Sequence, residues 1–452
     1  MAFTRHLQKI LPRSLWRSNP STREHMTRPD PYRQNETTSL SRCGAACMNA
    51  RNGAFLKRSV GLTLVLGVSW GIGNGCARPP VRSRDLPSTM GVSRSQALRL
   101  GDSVRAVLSR AMADGAFPGA YAAVGTADGV VVEYGVGRLD AADDTRPTAT
   151  TIWDLASLTK VIGTTSAMLQ LVGSGRVALD SPVVRYVPEW RATGAERITV
   201  RHLLSHSSGL PAWRALYKEA ATPLEAEQQL FATSPDTAAG VRYVYSDLGF
   251  ILLGKLIERV SGEPLAAYDS AHVFAPLGMH DTRYLPPAAL LPRIAPTEVD
   301  PWRQRKVRGE VHDENAVRLG GVSGHAGLFS TGQDLARFAR MYLRYGLLDG
   351  VRVFDSSAVA TFTRLQDSTV SRRALGWETP TGGNSAGTRL SPVAFGHTGF
   401  TGTSLWMDPS KGLFVLLLTN RVNPTRENRK IGGVRTALAD AAVGALEVEG
   451  KR

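Results

Sequence analysis

The chain has 452 residues, 42% of them apolar and 21% charged, an ordinary balance for a globular protein with core enough for two or three domains. Its net charge of +15 sits mostly at one end: residues 1–58 hold eleven Lys/Arg against Glu24, Asp30 and Glu36, residues 59–92 add +2, and residues 93–452 keep +5. No basic stripe interleaved with aromatics crosses the rest, which argues against a nucleic-acid partner, and Cys43, Cys47 and Cys76 all precede the body, which excludes a disulfide, a cysteine nucleophile or a thiolate metal site there.

Residues 1–47 are polar, basic and aperiodic, and read as a disordered tail or as upstream sequence that is not native. Cys43 and Cys47 there could be half a zinc site, but no second ligand pair stands at finger spacing, and two unpaired thiols are the simpler reading. Residues 48–76 read as a signal segment: Arg51, Lys57 and Arg58 precede an apolar run from Val60 to Ile72, too short for a comfortable membrane span. Gly73-Asn74-Gly75-Cys76 is similar to a bacterial lipoprotein cleavage site, with Gly73 where a larger residue is usual. Translation is therefore expected to begin near Met48. The product is expected to be exported, periplasmic or membrane-tethered through Cys76. Residues 77–93, with Pro79, Pro80 and Pro87, form a linker, and the folded domain is expected over 94–448.

Within that domain, residues 95–114 have helical spacing and stop at Gly115. Tyr121–Val124 and Val130–Tyr134 flank Ala127-Asp128-Gly129, a hairpin signal. Val161, Ile162, Met168, Leu169 and Leu171 predict a helix running on from Ser157 and closed by Gly173 and Gly175. A short helix and turn are expected over Ile198–Pro211, and a helix from Leu248 to Val260 is stopped by Gly262 and Pro264. A Gly-rich loop, Gly320–Leu328, precedes a helix capped by Ser330 or Thr331 and running through Leu343. Val393–His397, Ser404–Met407 and Leu413–Leu418 read as strands, and residues 430–446 as a closing helix. Strands at both ends and helices between predict an α+β fold: an antiparallel sheet built from both ends of the chain, with a mostly helical insertion on one side.

The chemistry concentrates in Asp154-Leu155-Ala156-Ser157-Leu158-Thr159-Lys160. Three residues apart on a helix, Ser157 and Lys160 share a face. A desolvated lysine can take a serine's proton, and a free N–H at a helix start can hold a developing oxyanion. Tyr245-Ser246-Asp247 follows 88 residues after Ser157, and His397-Thr398-Gly399 follows 152 after Tyr245. The ordered triple resembles the penicillin-recognising serine hydrolases: class C β-lactamases, D-Ala-D-Ala carboxypeptidases, related esterases and D-aminopeptidases. Leu203–Leu210 and Gly327–Leu335 extend the resemblance, which covers about residues 95–446.

The resemblance implies a β-lactamase/transpeptidase-like fold and an acyl-enzyme on Ser157, with no cofactor and no metal. By position, Lys160 accepts the Ser157 proton or holds Tyr245 at low pKa, and Tyr245 relays the proton. The N–H groups of Ser157 and Phe400 form the oxyanion hole, Thr398 binds a substrate carboxylate, and Gly399 and Gly402 bring that strand close to the substrate. Two residues depart from the usual pattern: His397 stands in place of Lys, and Asp247 in place of Asn. If both face the cleft, the site favours neutral esters or amine-bearing D-peptides over penicillins; Asp247 could instead pair with Lys160 or with an amino group on the substrate. The substrate classes implied are D-amino-acid peptides, β-lactams and small esters, and a peptidoglycan-fragment binding protein without catalysis is the alternative. His202 and His206, at i and i+4, could ligate zinc, but the metalloprotease Glu is missing. Gly309–Asn315, rich in His, Asp and Glu, either lines the cleft or is a capped turn.

Overall fold

The computed structural model describes residues 91–381 and 384–447. The tail, the expected signal segment, all three cysteines and most of the expected linker lie outside these residues. Helix α1 spans Arg94–Ala113. The Ser93 hydroxyl accepts the Gln96 N–H at 3.2 Å, and the Gln96 side chain accepts the Ser93 N–H at 2.8 Å. Strands β1 (Gly119–Thr126) and β2 (Val130–Gly137) form the expected hairpin. After β3 (Ile152–Asp154) the backbone winds through a tight 3₁₀ turn, Ala156–Leu158, then a π-helical turn, Lys160–Thr165, before α2 (Ser166–Gly173). The insertion continues through α3 (Val200–Leu204), α4 (Asp247–Ser261), α5 (Glu314–Arg318), β4 (Phe329–Thr331) and α6 (Gly332–Leu343), with further helices between them. Strands β5 (Phe395–Thr398), β6 (Ser404–Asp408) and β7 (Leu413–Thr419) and helix α7 (Ile431–Glu447) complete the domain.

The five long strands lie in the order β2-β1-β7-β6-β5, and every pairing is antiparallel. The first strand of the domain therefore pairs with its last, Ala120 opposite Thr419 and Thr126 opposite Leu413. Alternation along β1 divides the core. Ala120, Ala122 and Val124 pack with α1 and α7 through Leu100, Val104, Leu108, Leu438 and Val443. Tyr121 and Ala123 belong to the larger cluster made with the insertion, through Leu335, Phe338 and Leu405. Helix α6 sits close on the second face because its first residue is glycine: a Cβ on Gly332 would lie 2.1 Å from the Tyr121 ring. The insertion is held against one side of a sheet that both chain ends build.

Candidate active site

Strand β3 places the nucleophile turn. It pairs with β4, Asp154 opposite Phe329, and the Leu155 N–H continues the contact to the Leu328 carbonyl at 2.9 Å. Ala156 then takes a left-handed conformation, φ +46°, which a residue with a Cβ rarely adopts. This abrupt turn leads into Ser157, so the segment is no regular helix start. The following π turn leaves room for a neighbour: a Cβ on Gly163 would lie 2.5 Å from Asp269 Oδ2. Ser157 and Lys160 still meet, with Lys160 Nζ 3.0 Å from Ser157 Oγ.

Lys160 is fully buried and has two further partners, the His325 carbonyl at 3.0 Å and Asp247 Oδ1 at 2.7 Å. Burial alone would push its pKa down, as the sequence reading expected. The Asp247 carboxylate, and after it Tyr245, reverse that effect and hold the ammonium above its usual range. The surroundings of Lys160 thus favour its ammonium form. Asp313 Oδ1 and His325 Nε2 lie 2.9 Å apart beside this pair, and Asp247, Asp313 and His325 have ligand-type atoms within 4.8 Å of one another. Burial would raise the Asp313 carboxyl, but His325 outweighs it and keeps that carboxyl well below the ordinary range. The Lys160 ammonium already sits against this group as its counter-cation.

Tyr245 enters from the loop before α4. The Lys160 ammonium lies 5.0 Å from its ring centroid, and His206 stacks on it at 4.5 Å. Loss of water, with the Asp247 charge, raises the phenol's pKa above its ordinary value, against the low pKa that the resemblance implied; the Lys160 charge and hydrogen bonding to Lys160 and Ser157 offset this only in part. His397 is buried, and its Nδ1 donates to the Thr398 carbonyl at 2.8 Å. Burial, then Arg373 and Lys160, keep its pKa far below the usual imidazole value, so His397 is neutral. Ser157, Tyr245, His397, Thr398, Gly399 and Phe400 line one cleft of about 450 Å³, together with Tyr243, Glu378 and four arginines, Arg373, Arg421, Arg429 and Arg435. Asp247 is not on that wall. The condition that both Asp247 and His397 face the cleft is therefore not met: Asp247 takes the alternative placement, paired with Lys160, His397 is neutral, and guanidinium groups dominate the surface.

The glycines of the third motif also serve the packing of the loop. A Cβ on Gly399 would lie 2.1 Å from Thr403 Oγ1 and 2.4 Å from the Leu155 carbonyl, and one on Gly402 would lie 2.0 Å from Thr419 Oγ1. Both permit close packing of the protein on itself. Arg435 braces the same loop, donating to the carbonyls of Gly399 at 2.6 Å and Thr403 at 2.8 Å, and Arg421 Nε donates to the Phe400 carbonyl at 2.8 Å.

The candidate zinc histidines are both committed to backbone groups. His202 Nδ1 accepts the Thr199 N–H at 3.2 Å, capping α3, and His206 Nδ1 accepts the Ser246 N–H at 3.0 Å. The 309–315 stretch does two jobs. Asp313 caps α5 through the Ala316 N–H, and the His312 N–H reaches Asp154 Oδ2 at 2.6 Å beside the nucleophile turn. His325, Glu378 and the four arginines escaped the sequence reading because no spacing links them to Ser157, whereas Asp313 lies in the 309–315 stretch that the sequence singled out without a role.

A family model described as Beta-lactamase matches residues 104–439. The chain belongs to the β-lactamase family. Relatives in this family include a Salmonella typhi protein described as "Putative D-alanyl-D-alanine carboxypeptidase", 32% identical over an alignment of 323 positions that covers 63% of this chain and 73% of that protein. Among solved structures, a penicillin-binding protein homologue from Caulobacter crescentus superposes with a TM-score of 0.63 at 22% identity, over 77% of this chain and 97% of its own. EstCE1, a hydrolase with promiscuous acyltransferase activity, gives a TM-score of 0.62 at 21% identity, over 77% and 99% of the two chains. A class C β-lactamase gives 0.63 at 20% identity, over 78% and 98%. The three structures share the fold, an antiparallel sheet with a helical insertion. The family is one of serine hydrolases, with carboxypeptidase, esterase and β-lactamase members.

Proposed function

We propose that this chain hydrolyses carboxylate-bearing D-amino-acid peptides through an acyl-enzyme on Ser157, with β-lactams as alternative acyl donors and neutral esters as poorer ones. The observation that carries the reading is the contact line from Ser157 Oγ to Lys160 Nζ to Asp247, set at the floor of an arginine-lined cleft. Ser157 attacks the carbonyl. Tyr245, in its phenolate form stabilised by the Lys160 ammonium beside it, takes the Ser157 proton and becomes the phenol. Tyr245 then returns the proton to the leaving nitrogen and activates the deacylating water. The developing oxyanion lies between the N–H groups of Ser157 and Phe400.

The choice of a carboxylate-bearing substrate rests on the arginines. Arg421 and Arg435 have carbonyl oxygens as partners, and neither is paired with a carboxylate among the described residues. Burial, then the neighbouring Arg421, pulls the Arg435 pKa down to about 10. Arg373 and Arg429 have Glu378 and Glu427 beside them at 3.6 and 3.9 Å, yet four guanidinium groups face one carboxylate on this wall, a cationic surplus that attracts an anionic group, and Thr398 lies on the same wall. We further propose that the protein is exported and tethered through Cys76. Mass spectrometry of the native N-terminus tests this, and peptides from residues 1–47 in cells would refute a start at Met48.

The test of the reaction is a substrate panel, a D-Ala-D-Ala peptide, a penicillin and a neutral ester, run beside adduct mass on Ser157. A D-peptide rate below the ester rate would overturn the substrate assignment. Absence of any adduct on Ser157 would overturn the mechanism.

A further inference from the structure

We propose that Asp154 and His312 are positioning residues that hold the two halves of the oxyanion hole, the Ser157 turn and the Phe400 loop, in one frame. The proposal rests on the acyl-enzyme reading above. Asp154 is buried, 3% exposed, three residues before the nucleophile. Its two carboxylate oxygens both serve backbone groups: Oδ1 accepts the Ala156 N–H at 2.8 Å, and Oδ2 accepts the His312 N–H at 2.6 Å. The first bond holds the left-handed Ala156, whose conformation sets the direction of the Ser157 N–H. The second fixes His312, whose ring stacks on Phe400 at 5.6 Å and 27°. His312 is anchored in turn, its Nε2 donating to Glu298 Oε2 at 3.1 Å, and Arg426 holds that carboxylate at 2.8 and 2.9 Å.

The main chain closes the frame from the other side. The Thr401 hydroxyl donates to the Asp154 carbonyl at 2.8 Å, and the Thr403 hydroxyl to the Leu155 carbonyl at 3.1 Å. Residues 154–157, 312 and 399–403 are thus cross-braced around the point where the oxyanion develops. Only a carboxylate offers acceptors on both sides at this position. An asparagine would turn its NH₂ toward one of the two N–H donors and break that link.

The test uses three variants of the full chain, Asp154→Asn, His312→Ala and His312→Phe, with a fluorophosphonate label and p-nitrophenyl acetate as probes. Circular dichroism and the thermal midpoint verify folding. Asp154→Asn is expected to slow labelling of Ser157 and lower kcat by about 30-fold or more, the scale of a misplaced oxyanion donor. KM should stay within about threefold, because the frame acts on the transition state rather than on binding. His312→Ala keeps its N–H but loses the ring against Phe400, and is expected to lower kcat by about tenfold. His312→Phe restores the ring and should recover most of that loss. A role confined to stability would move the thermal midpoint, with neither the kcat-against-KM split nor the rescue.

Wild-type protein that takes no label on Ser157 overturns the acyl-enzyme reading and the frame with it. Labelled wild type with Asp154→Asn reacting at the same rate overturns the frame alone. If Asp154→Asn does not fold, the histidine pair decides: His312→Ala at the wild-type rate refutes the proposal, and loss with rescue by His312→Phe supports it.

Discussion

On the face of the sheet covered by α1 and α7, Leu100, Val104, Leu108 and Leu438 meet Ala120, Ala122, Val415 and Leu417 in an apolar cluster. On the insertion side, buried Lys160, Asp154, Asp269 and His325 lie beside a core of Leu, Phe and Trp. The first region is built from interchangeable apolar contacts, each adding to stability in rough proportion to area. The second is built from specific pairs, and each pair fixes a direction or a charge. A substitution should therefore unfold the first region and disarm the second.

The largest expected effect is Ser157→Ala, which should abolish turnover and covalent labelling while the thermal midpoint stays near wild type, since the substitution removes one hydroxyl at a turn. Residual adduct mass on the Ala variant would show that another residue is the nucleophile. Tyr245→Phe should lower kcat by about 10²–10⁴-fold with a smaller change in KM, because it removes the proton carrier and keeps the ring. A near-normal rate would remove Tyr245 from proton transfer.

The opposite result is expected on the quiet face. Leu100→Ala should cost about 2–5 kcal/mol of stability, seen in denaturant unfolding, with kcat per folded molecule unchanged. A loss of kcat without a loss of stability would contradict the division.

Asp269 shows how far a buried charge can be suppressed. It is fully buried, and its one side-chain partner is the Tyr284 hydroxyl at 3.2 Å. Burial raises its pKa from 3.8 to about 8, so the folded chain keeps a proton that the unfolded chain has lost over that window. The contribution is full below pH 4, falls as pH rises, and is gone above about pH 8. Its size is of order 5 kcal/mol at most. Asp269→Asn should flatten this slope, so that the stability difference from wild type grows between pH 5 and about 8. Parallel unfolding curves across that range would refute it.

The smallest effect concerns Asp247. Its charge raises the pKa of both Lys160 and Tyr245. Asp247→Asn should therefore move the ascending limb of the kcat/KM–pH profile to lower pH, by about one unit. A limb that stays put or moves upward would mean that Asp247 does not set the proton affinity of the catalytic group.

Sequence periodicity carried the fold well. The α1 stripe, the hairpin around Asp128, the helix before Gly262 and the late strands each follow from a local pattern of apolar residues and breakers. The three motifs named Ser157, Lys160 and Tyr245, and the structure brings them together. The state of Lys160 was not legible, because burial and the Asp247 carboxylate act in opposite directions and only their distances decide which prevails. Likewise, the Asp154–His312 bond joins residues 158 apart, and Lys160 meets the His325 carbonyl across 165. No local period encodes such pairs. The turn at Ala156 carries no sequence mark either, since left-handed positions are ordinarily glycine.

The pairing of β1 with β7 has a bearing on how the molecule is made. The ribosome delivers Ser157 early, but the sheet cannot close until Leu413–Thr419 has emerged to lie beside Gly119–Thr126. The threonines that tie down the nucleophile turn, Thr401 and Thr403, arrive almost as late. Contacts of such long sequence separation form slowly. A nascent chain thus carries Ser157 with no scaffold around it until the strand Leu413–Thr419 has been made.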